Sequence, residues 1–230
     1  MAVAVSAATM VLVVLATGIT WIVTLHSRVA TYSVAAPLTR VELVMSSGQA
    51  VIEGTQSSTL LIRRTDRYAF GHAASERRSL TDGILRISSH CPEIVVGSCS
   101  ASYELAVPET VAVSVRTTEG DVRLNGFRGT AQVRTGDGNV NVEAYCGFDL
   151  AARTASGNVH IAAACSPEHL EVLTRSGDVV AQVPQGARYR ISATSGAGRA
   201  HVSGVVNDPS APFTMDMHSG SGTVVIGGGL

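Results

Sequence analysis

Six glycines, Gly120, Gly138, Gly157, Gly177, Gly198 and Gly222, follow one another at intervals of 18, 19, 20, 21 and 24 residues. Each sits in the same local company. Three residues before the glycine stand Thr117, Thr135, Thr154, Thr174, Ser195 and Ser219. Five before stand Val115, Val133, Ala152, Val172, Ala193 and Met217; two after stand Val122, Val140, Val159, Val179, Ala200 and Val224; four after stand Leu124, Val142, Ile161, Ala181, Val202 and Ile226. The positions between these columns are mostly polar. Alternation with a period of two on both sides of a turn means two short strands, each with one buried and one wet face.

A unit of about twenty residues with two strands cannot bury its inner face alone, whereas a stack of such units can. Neighbouring units in a stack lie ~4.8 Å apart with like columns in line. A sandwich or meander also uses short strands and frequent turns, but has no need for one residue type at one offset six times. The expected fold is therefore all-β, a β-solenoid of stacked coils over residues 108–230. Glycine suits the corner because a tight bend needs positive φ or close backbone approach. The inward Thr/Ser hydroxyls can bond one another or the turn backbone. Asp121, Asn139, Asn158 and Asp178, each one after the glycine, suit turns by bonding their own backbone.

The cysteines give an independent register. Cys146 and Cys165 each lie eight residues after a column glycine, so successive coils place them one above the other. A Cα separation of ~4.8 Å is within disulfide range, which predicts a Cys146–Cys165 staple and leaves Cys91 to pair with Cys99. Weaker echoes of the unit surround Gly48 (VELVMSSGQAVIEG) and Gly83 (TDGILRI), with a polar stretch from Arg63 to Ser79 between them that reads as a loop or hairpin end. Residues 41–107 are expected to form an N-terminal β-region that caps the stack, since terminal coils expose open edges. The last interval, with Pro209 and Pro212, is long enough to fold over the other end.

Before the repeats, Ala2–Leu25 contains no charged residue. As a helix it would span ~36 Å, enough for a ~30 Å hydrocarbon core. Residues 1–25 are expected to be a single transmembrane signal anchor and residues 26–40 a linker. Paired cysteines belong outside the cytosol, which puts the bulk of the chain on the extracellular side of the cell membrane.

Chemistry-bearing patterns are sparse. All 17 basic residues are arginine, so no Walker, Schiff-base or general-base lysine exists. A net charge of −1 argues against nucleic acid. TGDGNV lacks the lysine and helix of a phosphate loop. Asp121, Asp137, Asn139, Asn158 and Asp178 share one corner and could offer oxygen ligands to calcium, but the calcium-roll nonapeptide is missing, and turn chemistry accounts for them. His160 and His201 share a column two coils apart in sequence order, too far for one zinc. No cofactor or metal site is expected. The one patterned charge is Arg116, Arg134 and Arg153, stacked four residues before successive glycines. This exposed stripe could attract anionic envelope polymers, lipid headgroups or surface proteins, or serve only as a solvated face.

The recurring units TTEGDV, TGDGNV, TASGNV and TRSGDV, preceded by a membrane segment, resemble a bacterial "putative-adhesin" β-strand-repeat family, a domain-of-unknown-function family of the cell envelope. The resemblance covers roughly residues 40–230. It implies a surface-exposed or membrane-tethered β-solenoid, some relatives of which are linked to envelope-stress responses, and it supplies no catalytic residues. The expected function is a membrane-anchored, non-enzymatic adhesin or envelope-interaction module. The competing classes are a polysaccharide-active β-helix enzyme, which needs carboxylates converging on one face, and a purely structural stalk.

Overall fold

A computed structural model describes Val14 and residues 25–70, 72–93 and 98–229. The strands are β1 (His26–Val34), β2 (Arg40–Ser47), β3 (Ala50–Thr55), β4 (Leu60–Tyr68), β5 (Ser75–Thr81), β6 (Ile84–His90), β7 (Cys99–Pro108), β8 (Ala112–Glu119), β9 (Val122–Asn125) and β10 (Ala131–Asp137). They continue as β11 (Val140–Tyr145), β12 (Asp149–Ser156), β13 (Val159–Ala163), β14 (His169–Ser176), β15 (Val179–Val183), β16 (Arg188–Ser195), β17 (Ala200–Ser203), β18 (Val206–Asn207), β19 (Thr214–Ser221) and β20 (Val224–Gly228). Two ten-stranded sheets face each other. The first runs β1-β4-β7-β3-β9-β11-β13-β15-β20-β17, the second β18-β16-β19-β14-β12-β10-β8-β2-β6-β5. Each coil gives one strand to each sheet, and strands of neighbouring coils pair in parallel.

The columns expected from the sequence line up. Thr135 is in register with Thr117 and Thr154, and Val140 with Val122 and Val159. The apolar columns fill the space between the sheets. The Thr/Ser column bonds the turn backbone: Thr135, Thr154, Thr174 and Ser219 donate to the carbonyls of Gly120, Gly138, Gly157 and Gly177 at 3.2, 3.1, 3.1 and 2.8 Å. The Asx residues act between coils instead of within their own turns. The side-chain oxygens of Asp121, Asn139, Asn158 and Asp178 accept from the backbone N–H of Asn139, Asn158, Asp178 and Thr223 at 2.7–2.9 Å. A carboxyl or amide reaches the next strand because parallel coils hold the corners in line.

The stack departs from chain order at both ends. From one end to the other its coils are β6/β7, β2/β3, β8/β9, β10/β11, β12/β13, β14/β15, β19/β20 and β16/β17. The last coil in sequence thus lies inside the one before it. Side-chain volume explains the exchange. Met215, Met217, Val224 and Ile226 are fully buried there, whereas the smaller set Ile191, Ala193, Ala200 and Val202 is left on the half-exposed end. Burying the coil with more apolar area removes more surface from water. His160 and His201 are consequently three strand spacings apart, ~14 Å, one more than chain order implies. The segment from Gly204 to Phe213 crosses part of that end. Val206 and Asp208 donate to Ala187 and Tyr189 at 2.9 Å each, and Ala211 is buried.

The region before the repeats differs more from expectation. His26–Val34, expected within a linker, is strand β1, antiparallel to β4, with Tyr32 and Val34 packed on the core. Residues 41–107 hold two coils of the stack, β2/β3 and β6/β7, and not only a cap. Gly83 turns the β5–β6 hairpin and is not a coil corner. The capping strands are β1, β4 and β5, and all their pairings are antiparallel. The stretch Arg63–Ser79 therefore begins and ends in strand. The expected transmembrane helix over residues 1–25 lies outside the described residues apart from Val14 and Leu25. Among the described residues no helix is long and apolar enough to cross a membrane.

Both disulfides are present. Cys146 and Cys165 join successive coils with Cα atoms 4.7 Å apart, and Cys91–Cys99 closes the corner of β6/β7 with Cα atoms 5.8 Å apart. Beside the first, the buried Tyr145 hydroxyl lies 2.9 Å from the Gly129 carbonyl and 2.6 Å from that of Asp149. Burial raises its pKa well above the ordinary phenol value. Tyr189 is also fully buried, but its hydroxyl makes no hydrogen bond to any described residue, and burial pushes it up to about 12, with Ser166 nearby lowering it. Opposite outcomes are expected in urea unfolding. Tyr145→Phe should cost about 1–3 kcal/mol by removing a buried hydrogen bond to a backbone carbonyl, while Tyr189→Phe should be neutral or slightly stabilising. Equal losses would contradict this difference.

Candidate functional site

The outer face of the second sheet carries the arginine stripe. Arg134 on β10 is in register with Arg116 on β8 and Arg153 on β12, so the three side chains leave one face at ~4.8 Å intervals. Alternation fixes this direction, since Val115, Thr117, Val133 and Thr135 on the same strands point into the core. Arg116 and Arg134 are exposed and make no ion pair with any described residue. Arg153 differs. Its Nε and Nη2 donate to Glu171 Oε1 at 3.2 and 2.5 Å, which neutralises one charge and fixes one guanidinium. The stripe is bounded on one side by Val44 on β2 and on the other by Leu173 on β14.

At that second boundary the face dips. A depression of about 440 Å³ is lined by Arg134, Arg153, Ala155, Leu173, Arg175, His218 and Gly220, with the edges of Thr135, Thr154 and Thr174. Its floor is open because Ala155 has little side chain and Gly220 none. Leu173 lies one outward pair before them, in register between Arg153 and His218, and is 41% exposed. His218 faces Leu173 from β19, 45 residues away in sequence, and its Nδ1 is 2.7 Å from the Thr194 hydroxyl. Arg175, two residues from Leu173 on the same face, makes no ion pair with a described residue. Arg175 was visible in the sequence but lies outside the stripe's column. His218 and Gly220 could not be placed there without knowing that β19 inserts beside β14.

Carboxylates gather elsewhere, along the glycine corners beside β7. Glu104, Glu119, Asp121 and Asp137 line a groove of about 580 Å³ together with Arg67. None of them is buried, and Asp121 is committed to the inter-coil ladder.

The family model for Toastrack DUF4097 matches residues 33–219, across the capping strands and nearly the whole stack. The chain belongs to the Toastrack DUF4097 family. Among solved structures, the Toastrack chain is similar to a putative cell adhesion protein from Clostridium sporogenes ATCC 15579. The two share 13% identity and a TM-score of 0.55, over 89% of this chain and 100% of that one. It is also similar to a putative adhesin from Bacteroides fragilis NCTC 9343, with 12% identity, a TM-score of 0.46, and coverage of 87% of this chain and 97% of that one. No curated protein matches the chain. At 13% identity the likeness to the Clostridium structure shows the fold alone, two sheets of stacked, mostly parallel strands.

Proposed function

We propose that this chain is a non-catalytic, adhesin-like surface module. Residues 1–25 anchor it in the cell membrane, and the solenoid stands outside the cell. The two disulfides support an oxidising compartment. The adhesion-protein name of the Clostridium relative agrees with a surface role. The observation that carries the reading is the alignment of Arg116, Arg134 and Arg153 on adjacent strands of one exposed face. Regularly spaced guanidiniums suit a linear anionic polymer, because each fork can take a phosphate, sulfate or carboxylate in turn.

The test is binding of the full chain to immobilised polyglycerol phosphate at low and physiological salt. The variant Arg116→Ser/Arg134→Ser/Arg153→Ser is expected to bind about tenfold or more weakly at low salt, with a smaller difference as salt screens the stripe. Wild-type affinity in this variant would dismiss the stripe as a binding face.

A further inference from the structure

We infer that the depression around Leu173 is a discrete site for a phosphate ester bearing a short hydrocarbon, with the phosphate held by arginine and the hydrocarbon on the leucine. This rests on reading the second sheet as a binding face, and it names a ligand that a plain charge stripe would not select.

The stripe column holds arginine on three successive strands and then, on β14, a leucine that is 41% exposed. Leu173 stands in register between Arg153 and His218, and the small Ala155 and Gly220 lie one outward pair further along, on either side of Arg175, which leaves that side of the leucine uncovered. A Cβ at Gly220 would stand 2.6 Å from the Arg175 carbonyl, so the strands approach too closely there for a side chain. Nitrogen donors surround this apolar floor. Arg134 and Arg175 are not ion-paired with described residues, Arg153 is oriented by Glu171, and His218 keeps Nε2 available while Nδ1 meets Thr194. Three guanidiniums and an imidazole can together satisfy the three terminal oxygens of a phosphate ester. A carboxylate offers only two. The depression's ~440 Å³ suits a small ligand more than an extended chain.

The insertion of β19/β20 is what assembles the site. If the coils stacked in chain order, β16 would pair with β14, and Thr194 and Gly196 would stand where His218 and Gly220 do.

The experiment uses the full chain in phosphatidylcholine nanodiscs, with empty nanodiscs as the blank, titrated calorimetrically with hexyl phosphate, inorganic phosphate and hexanol. Hexyl phosphate is expected to bind about tenfold tighter than inorganic phosphate, and hexanol not at all. Leu173→Asn should erase that margin and leave inorganic phosphate unchanged. Arg175→Ser should weaken both phosphates. Ala155→Phe, which fills the floor without changing charge, should block hexyl phosphate and gives a second reading should Leu173→Asn fold poorly. Arg116→Ser, outside the depression, should leave hexyl phosphate binding intact while weakening polyglycerol phosphate, so the site and the stripe can fail separately.

Beads coated with phosphatidylglycerol identify the source. A Leu173→Asn loss on the beads matching that for hexyl phosphate assigns the ligand to a lipid headgroup. A loss confined to hexyl phosphate assigns it to a soluble ester. Equal affinity for hexyl and inorganic phosphate, a margin that survives both Leu173→Asn and Ala155→Phe, or bead binding without hexyl phosphate binding would each overturn the proposal.

Discussion

Gly157→Ala is expected to destabilise the fold by about 4 kcal/mol, as the sum of two independent costs. The backbone at Gly157 has φ of 150°, a region that a residue with a Cβ occupies only under strain. The added Cβ would also stand 2.0 Å from the Gly138 carbonyl oxygen and 2.6 Å from its carbon. Those are backbone atoms of the coil beneath, held at the ladder spacing by Gly138 N–H donating to Ser156 and Gly157 N–H to Ser176. Neither coil can retreat without breaking the pairing of the other strand it carries. A loss of this size is a large part of the 5–15 kcal/mol that typical domains possess, and predicts a melting temperature lower by about 8–16 °C. Gly227→Ala is the control. Its added Cβ meets nothing within 4 Å, and its φ is not positive, so the change should stay within about 0.5 kcal/mol. Similar losses at the two positions in chemical unfolding would remove the corner argument.

The middle of the stack could be read from sequence because each corner glycine brings its Thr, Val and Asx neighbours to fixed offsets, and parallel pairing repeats those offsets in register. The Cys146–Cys165 staple follows from the same geometry. Stacking order at the ends was not legible for the same reason. Columns shared by every coil carry no address, so nothing in the pattern says that β19/β20 lies inside β16/β17. Packing volume decides it, through Met215 and Met217, and volume is invisible to a pattern that scores residue type. The arginine stripe was legible as a column. The depression beside it was not, because half of its rim arrives with the inserted coil. The capping strands were hidden in another way. Arg64 and Asp66 alternate inward along β4, where polarity alone reads as a loop, and only their mutual pairing lets a strand bury them.

Arg64→Met is expected to cost about 3–5 kcal/mol at neutral pH, the penalty of leaving buried carboxylates without their cation. Arg64, Asp66 and Glu76 have side chains only 8%, 9% and 12% exposed. The guanidinium donates through Nε to Asp66 at 2.7 Å and through Nη2 to the Ala74 carbonyl at 2.5 Å, and its Nη1 is 3.3 Å from Glu76. Glu76 comes from β5 in the second sheet. Its Oε1 accepts from the hydroxyls of Tyr32 on β1 and Tyr103 on β7, both in the first sheet, at 2.8 and 3.1 Å. Arg78 closes the group from outside, 3.4 Å from Glu76 and stacked 4.0 Å over the Tyr32 ring. Burial raises the pKa of Tyr32 and Tyr103, with Glu76 beside them adding to the effect, so both phenols stay protonated and donate across the working pH range. One carboxylate thus ties the two sheets together at the end where β1 leads back toward the proposed anchor. Methionine would keep most of the packing volume while stranding Asp66 and leaving Glu76 with only the half-exposed Arg78 as counter-ion. Arg64→Met/Asp66→Leu/Glu76→Gln, with no charge left to strand, should recover most of the loss. A triple variant as unstable as Arg64→Met alone would mean that the arginine acts by packing and not as the counter-ion of a buried clasp.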